Sequence, residues 1–275
     1  VETQLRLDAI TCCVGQYYCD LLSNSLPTWL PFLDSLTIVT RPNDPATQFY
    51  GPETNICATD LFGMYGASFN KGAALCEAYR VSQPTDWVLH FDADILPPGD
   101  WHDRMLERLE FGCLHATRRY SEGGEPLDEQ EFWPYGFFQL WHSCDPAAIR
   151  WPLFEPWHAH AGNYDAEFAE YWPKSKWVDL GFPVTHFGEP RANWFGPEGD
   201  PSLMDPLKAE EIHINRINAR KPENRLVVPG PRTRLTLDRK TPEFAAAVVR
   251  LCSQVGPFGC EVRLGDYNAV EHDFN

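Results

Sequence analysis

Apolar positions in the first hundred residues alternate between short unbroken runs and runs spaced three and four apart. That alternation predicts strands joined by helical crossovers, and therefore parallel strands. Leu7 to Val14 is an apolar, β-rich run, and Tyr17 to Leu33 has helical spacing with breaks expected near Pro27 and Pro31. Leu36 to Thr40 (LTIVT) predicts a second strand, ended by the turn-forming Arg41-Pro42-Asn43-Asp44-Pro45. Asn55 to Thr59 reads as a third strand, Ala73 to Val81 as a helix, and Trp87 to Phe91 (WVLHF) as a fourth strand.

Beyond that point, Gly99 to Glu110 is helical in pattern, with Met105, Leu106 and Leu109 on one side. Tyr120 to Trp133 is acidic and contains glycine, which predicts a mobile loop. Phe137 to Trp141 (FFQLW) has the look of a strand in a buried sheet, followed by a short helix over Tyr164 to Trp172 and a strand over Trp177 to Thr185. After Gly196 the composition turns to proline, glycine and charge, with helices expected at Asp205 to Ala219 and Thr241 to Val255. The second of these has Thr241 as N-cap and Pro242 at its first position. The expected architecture is an α/β domain over 1–200, its mostly parallel sheet flanked by helices, with a C-terminal helical appendage over 201–275.

Charge narrows the function classes. A net charge of −16 argues against broad, nonspecific binding to nucleic acid. The balance is uneven, because residues 207–250 hold ten Lys and Arg against five Asp and Glu. That segment reads either as a solvated helical face or as a surface for an anionic partner. Nine scattered cysteines without a C-x-x-C pair give no zinc pattern. Cys12 and Cys76 sit in runs that read as core, and reduced thiols in an intracellular compartment are the simplest reading. No apolar run is long enough for a membrane span, and the N-terminus lacks a basic-then-apolar signal, so a soluble protein is expected.

The most informative stretch is Asp86-Trp-Val-Leu-His-Phe-Asp-Ala-Asp94-Ile-Leu-Pro-Pro98. A continuous apolar strand ends in two carboxylates one residue apart, before a Pro-Pro stop. In open α/β sheets ligands gather at the carboxyl ends of strands. Two unpaired carboxylates there would be costly to bury, and a divalent cation with a preference for oxygen ligands, Mg²⁺ or Mn²⁺, is the natural compensation. Such a metal would hold a diphosphate and stabilise it as a leaving group. A D-x-D pair by itself often marks only a polar loop.

Together, Asn70-Lys71-Gly72-Ala73-Ala74-Leu75, the helix after it and Asp86 to Ile95 resemble the N-K-G-x-A-x-N…D-W-V-L-x-L-D-A-D run of the GT-A glycosyltransferases, especially family-2-like enzymes. Cys76 departs from that pattern, since many relatives carry a polar residue there. The resemblance covers roughly residues 7–196. It implies a metal-dependent transfer of a sugar from a nucleotide-sugar donor, a UDP-sugar first among them, to an acceptor hydroxyl, with inversion. It assigns Asp92 mainly to the nucleotide and Asp94 to the metal, with His186 completing the metal site. Asp60 is placed to contact the base or else to cap a helix, and Thr11 and Thr40 are weaker nucleotide contacts. Lys71 would offset diphosphate charge unless it is a surface lysine at a helix start. Arg191, in Arg191-Ala192-Asn193-Trp194, is the candidate for a phosphate contact. The general base falls on Asp165, with Glu167 second, although acids at a helix start also complement its dipole.

The acceptor is open. One alternative is a modified base in DNA, as in phage-type DNA glycosyltransferases, bound through Arg216, Arg220, Lys221, Arg225, Arg232 and Arg234 of the basic segment. A nucleotidyltransferase would be expected to carry a glycine-rich loop after the first strand, where Gly15 stands alone. A noncatalytic sugar-binding module is the remaining alternative.

Overall fold

A computed structural model describes residues 5–49, 51–127, 131–148, 153–154, 161–162 and 164–187, together with two strands at 233–237 and 260–264. An eight-stranded sheet forms the centre, in the order β3-β2-β1-β4-β7-β6-β8-β5. Its strands are β1 (Leu7–Cys12), β2 (Ser35–Thr40), β3 (Thr54–Ala58), β4 (Trp87–Asp92), β5 (Ile95–Leu96), β6 (Leu114–Ser121), β7 (Phe138–His142) and β8 (Trp177–His186). The first four are parallel to one another, and β6 runs parallel to β8. β7 is antiparallel to both β4 and β6, and β5 is antiparallel to β8. The α/β class and the parallel half of the sheet follow the hydrophobic pattern; the antiparallel β7 in its middle does not.

Helices α1 (Gln16–Trp29) and α3 (Trp101–Leu106) cover one face of the sheet, while α2 (Lys71–Ser82) and α4 (Tyr164–Ala169) cover the other. Alternation along β4 shows why both faces bury. Trp87, Leu89 and Phe91 join the core under α1, and Val88 joins the core under α2. The fold therefore has two aromatic cores with the sheet between them.

Several elements depart from expectation for identifiable reasons. α1 runs through Pro27 instead of breaking there. Trp29 is buried, stacked at 4.4 Å on Phe91 and edge-on at 5.0 Å to Trp101. Burying an indole of that size contributes about 3 kcal/mol, enough to offset the ~3 kcal/mol cost of an interior proline. α3 is shorter than predicted: Met105 is buried, Leu106 is exposed, and the chain turns at Gly112 with φ of 80°. The expected loop from Tyr120 begins inside β6, whose turn is closed by Ser121 N–H donating to Glu125 O at 2.8 Å.

The predicted C-terminal helices and Arg191 lie outside the described residues. The two segments described there are strands, β9 (Thr233–Leu237) and β10 (Cys260–Leu264), paired in parallel. Cys12 and Cys76 are buried as expected. No helix among the described residues is long and apolar enough to cross a membrane.

Candidate functional site

One edge of the sheet gathers the expected site residues. β1 and β4 end side by side, with Cys12 in register with Asp92. β2 ends at Thr40 beside Ala58 of β3, and β8 reaches the same edge with His186 in register with Ile95. The Asp92 N–H donates to Phe137 O at 3.0 Å, and the Phe187 N–H donates to Asp94 O at 2.8 Å. The backbone of the D-x-D turn is thus held from both sides, which fixes where its two carboxylates project.

Their environments differ sharply. Lys71, expected as a diphosphate contact or a surface lysine, is buried at the start of α2, and its Nζ donates to Asp92 Oδ1. Its placement comes from Asn70, whose side chain caps α2 by accepting from the Ala73 N–H at 3.0 Å. The ammonium also lies 5.5 Å over the Tyr164 ring. Burial alone would lower its pKa, but the Asp92 carboxylate more than reverses this, and it stays protonated. Burial likewise works against the Asp92 carboxylate, and Lys71 holds its pKa below the ordinary value. Beside them, burial and then the charge of Lys71 push His90 down to about 3, so its buried imidazole is neutral.

Asp94 has no such counter-ion in contact. Its Oδ2 lies 3.5 Å from His186 Nε2, and its Oδ1 is buried with no hydrogen-bond partner. Burial first, and the neighbouring Asp92 charge second, push its pKa up to about 7. The edge therefore has one carboxylate paired with an internal lysine and a second whose nearest basic group in contact is the His186 imidazole. The pair Asp94 and His186 suits Mn²⁺ better than Mg²⁺. Their spacing is near the ~3 Å between adjacent ligands of an octahedral ion with bonds of about 2.1 Å. Among the described residues no group of three or more His, Cys, Asp or Glu encloses a metal. Asp94 and His186 would hold one side of it, and substrate oxygens and water the rest.

The remaining predicted residues divide. Asp60 is exposed just past β3, at the same sheet edge, and its side chain makes no cap hydrogen bond. Thr11 and Thr40 are fully buried, and their hydroxyls find no partner. Alternation in β1 and β2 places both on the face that α1 covers. Asp165, at the start of α4, uses Oδ2 to accept the Gly136 N–H at 2.7 Å. Burial raises its pKa, while Gly136 and Lys71 work the other way. Glu167 is half-buried two residues further along the same helix, about half a turn round from Asp165.

Asp165 also explains why position 136 is glycine. A Cβ there would lie 2.5 Å from Asp165 Cβ and 2.9 Å from the Tyr164 hydroxyl. Gly136→Ala is expected to destabilise the protein by about 2 kcal/mol, as overpacking does. It should also displace the turn that holds Asp92 through Phe137. Denaturant unfolding measures the first effect, and a stability within about 0.5 kcal/mol of wild type would show that the turn relaxes freely.

Sequence reasoning missed three residues at this edge. Tyr18, early in α1, has its phenol pushed up by burial and then by the Asp94 charge. Tyr164 packs on Lys71, and Arg119 lies on β6, a strand hidden by its own Arg118-Arg119 pair. The two basic residues that mask the strand are its only local signal.

No protein-family profile matches the chain, and no curated protein does. Among solved structures, a mycobacterial protein aligns with a TM-score of 0.49 and 14% identity over 70% of each chain. Glucosyl-3-phosphoglycerate synthase from Mycobacterium tuberculosis, solved with Mn²⁺, UDP-glucose and phosphoglyceric acid, aligns at 0.43 and 13%, over 69% of this chain and 74% of that one. The inositol-1-phosphate CTP transferase from T. maritima aligns at 0.43 and 10%, over 78% and 97%. Likenesses this distant assign neither family nor activity, and the chain is read from its own residues.

Proposed function

We propose that this chain is a metal-dependent glycosyltransferase of the GT-A type, taking a nucleotide-sugar donor at the carboxyl edge of its parallel strands. One observation carries the proposal. Of the two carboxylates ending the fourth strand, Asp92 is met by Lys71, whereas Asp94 is left with His186 and a buried oxygen lacking a partner. A site short of one positive charge, at the edge where α/β sheets bind ligands, fits a divalent cation carrying a diphosphate.

In this scheme Asp94 and His186 hold the metal, which when bound supplies charge stabilisation to the departing diphosphate. Asp92 orients the nucleotide from its fixed position on Lys71, with exposed Asp60 available to the base. Asp165 takes the acceptor proton, with its other oxygen tied to Gly136, and Glu167 is the alternative base. The transfer inverts the anomeric centre. The basic segment 207–250 is the candidate acceptor surface, and DNA binding there should fall steeply with salt.

A nucleotidyltransferase would use the same edge. The β1–α1 turn speaks against it: Gly15 (φ 87°) is the single glycine there, and its N–H already donates to Asp44 at 2.9 Å. A thermal-shift screen with Mn²⁺ tests the proposal. At a hundredfold excess over Kd, UDP or a UDP-sugar should add about 2.7 kcal/mol, or roughly 5–10 °C in Tm. Product analysis should then show free nucleoside diphosphate and a transferred sugar. If no nucleoside diphosphate or nucleotide sugar shifts the melt, with or without Mn²⁺, the proposal fails.

A further inference from the structure

Up to its final residue β7 is apolar except for Gln139, which is fully buried. Alternation puts Gln139 beside Trp141, on the face covered by α2 and α4. Its Nε2 donates to Pro134 O at 2.8 Å and to Asp165 O at 3.1 Å. Both partners are backbone carbonyls, which only accept, and this fixes which end of the amide is the NH₂ group. The other end, Oε1, is buried and finds no hydrogen-bond partner among the described residues. An apolar residue would fill the same place without leaving an acceptor unpaired. What glutamine adds there is the two bonds made by its nitrogen.

Those bonds close a frame around the proposed base. The segment 134–139 meets Asp165 at two points: the buried Gly136 N–H donates to its Oδ2 at 2.7 Å, and Gln139 holds its main-chain carbonyl. The same segment holds the Asp92 N–H through Phe137 O at 3.0 Å. One short stretch of chain thus spans the carboxylate assigned to the nucleotide and the one assigned to the acceptor proton. Asp165 itself is half-buried near the start of α4, a helix of 6 residues. A bond to its carboxylate alone would leave its backbone free to shift, whereas bonds to both fix where the side chain points. Reacting groups need placement to within about 0.5 Å, and a displacement of about 1 Å can cost on the order of 10²-fold in rate.

We infer that Gln139 is a positioning residue for the transfer reaction, setting through the Asp165 carbonyl where the base stands relative to the nucleotide at Asp92. It touches no substrate and acts through Asp165. The inference rests on the proposed glycosyl transfer and on Asp165 as its base.

Two variants of the full chain remove the donors while keeping an apolar side chain of similar size, Gln139→Met and Gln139→Leu. Each is made in the wild-type and the Asp165→Asn backgrounds. Amide exchange followed by NMR reads placement without a substrate. The Gly136 N–H should exchange at least about tenfold faster, while the amides of β1 and β2 exchange as in wild type. Calorimetry with UDP in MnCl₂ should give a Kd within about twofold of wild type. Turnover of UDP-glucose in MnCl₂, read as UDP released to water, should lose at least about tenfold in kcat with KM unchanged. In the Asp165→Asn background the same substitutions should cause no further loss, because the residue they act through is gone. A purely structural role would lower turnover equally in both backgrounds and weaken UDP binding, and either result overturns the inference. Unchanged exchange at Gly136, or loosening of β1 and β2 in both variants, overturns it as well. Full turnover by Asp165→Asn removes the base and the inference together and leaves the nucleotide-sugar reading standing. Where wild type does not cleave UDP-glucose, exchange at Gly136 alone decides whether Gln139 places Asp165. Failure of wild type to bind UDP counts against the UDP-sugar reading and not against that placement.

Discussion

Asp94→Asn is expected to make the metal-free protein more stable and to abolish sugar transfer. The Asp94 carboxyl has a folded-state pKa of about 7, well above its ordinary value, because it is buried next to the Asp92 charge. A carboxyl that holds its proton more tightly when folded opposes folding once the pH exceeds its unfolded pKa. The penalty is absent below about pH 4, grows as pH rises, and is complete above about pH 7. Asparagine removes it, for a gain on the order of 2–4 kcal/mol at neutral pH and none at pH 4. The same change removes the charge that would hold the cation, so transfer should fall on the order of 10³-fold. The Mn²⁺-induced rise in Tm should vanish with it. Melting curves of wild type and variant from pH 4 to pH 8, with and without Mn²⁺, read all of these effects. A variant that is less stable at pH 7.5 and still transfers sugar would refute the reading of Asp94. A residue that costs stability in the free protein and is needed for the reaction is the signature of a functional site.

Lys71→Met should produce the largest loss of stability. Methionine keeps the length of the stem but leaves the partly buried Asp92 beside Asp94 without its cation. Breaking a buried pair from one side costs about 3–5 kcal/mol, because the remaining charge is uncompensated. The pH dependence follows from Asp92, whose folded pKa Lys71 holds below the ordinary value. In wild type the pair's stabilisation is present above the unfolded pKa of about 4 and is lost as pH falls through the folded value. In Lys71→Met the Asp92 pKa rises instead, so the deficit should be full at pH 7 and shrink towards pH 4. Adding Asp92→Asn should recover most of the loss at pH 7, giving a coupling of about 2 kcal/mol or more. Denaturant unfolding of the two single variants and the double variant measures it. A Lys71→Met protein within about 1 kcal/mol of wild type at pH 7 would mean that the ion pair is a surface contact of little consequence.

Both predictions turn on a distinction that local sequence does not contain. In sequence, Asp92 and Asp94 are two similar acids flanking an alanine, and Lys71 lies 21 residues away at a helix start. The cap at Asn70 and the packing of α2 on the sheet bring Lys71 to Asp92, and the meeting of β5 with β8 brings His186 to Asp94. Thr11 and Thr40 show the same dependence. Both sit at strand ends where ligands are expected, yet the face on which each falls depends on which helices cover the sheet.

What the sequence determined by itself was periodic or local. Six of the eight central strands, the helices between the parallel ones and the carboxylate turn at the end of a buried strand could all be read from it. These rest on backbone and side-chain preferences within a few residues, where the hydrophobic period is unambiguous. Tertiary structure alone decided the antiparallel insertion of β7, the continuation of α1 through Pro27, the strand concealed by Arg118 and Arg119, and the division of charge at the site. Each of these depends on the burial or electrostatic partner of a residue distant in the chain, and such energies exist only once the two cores have closed around the sheet.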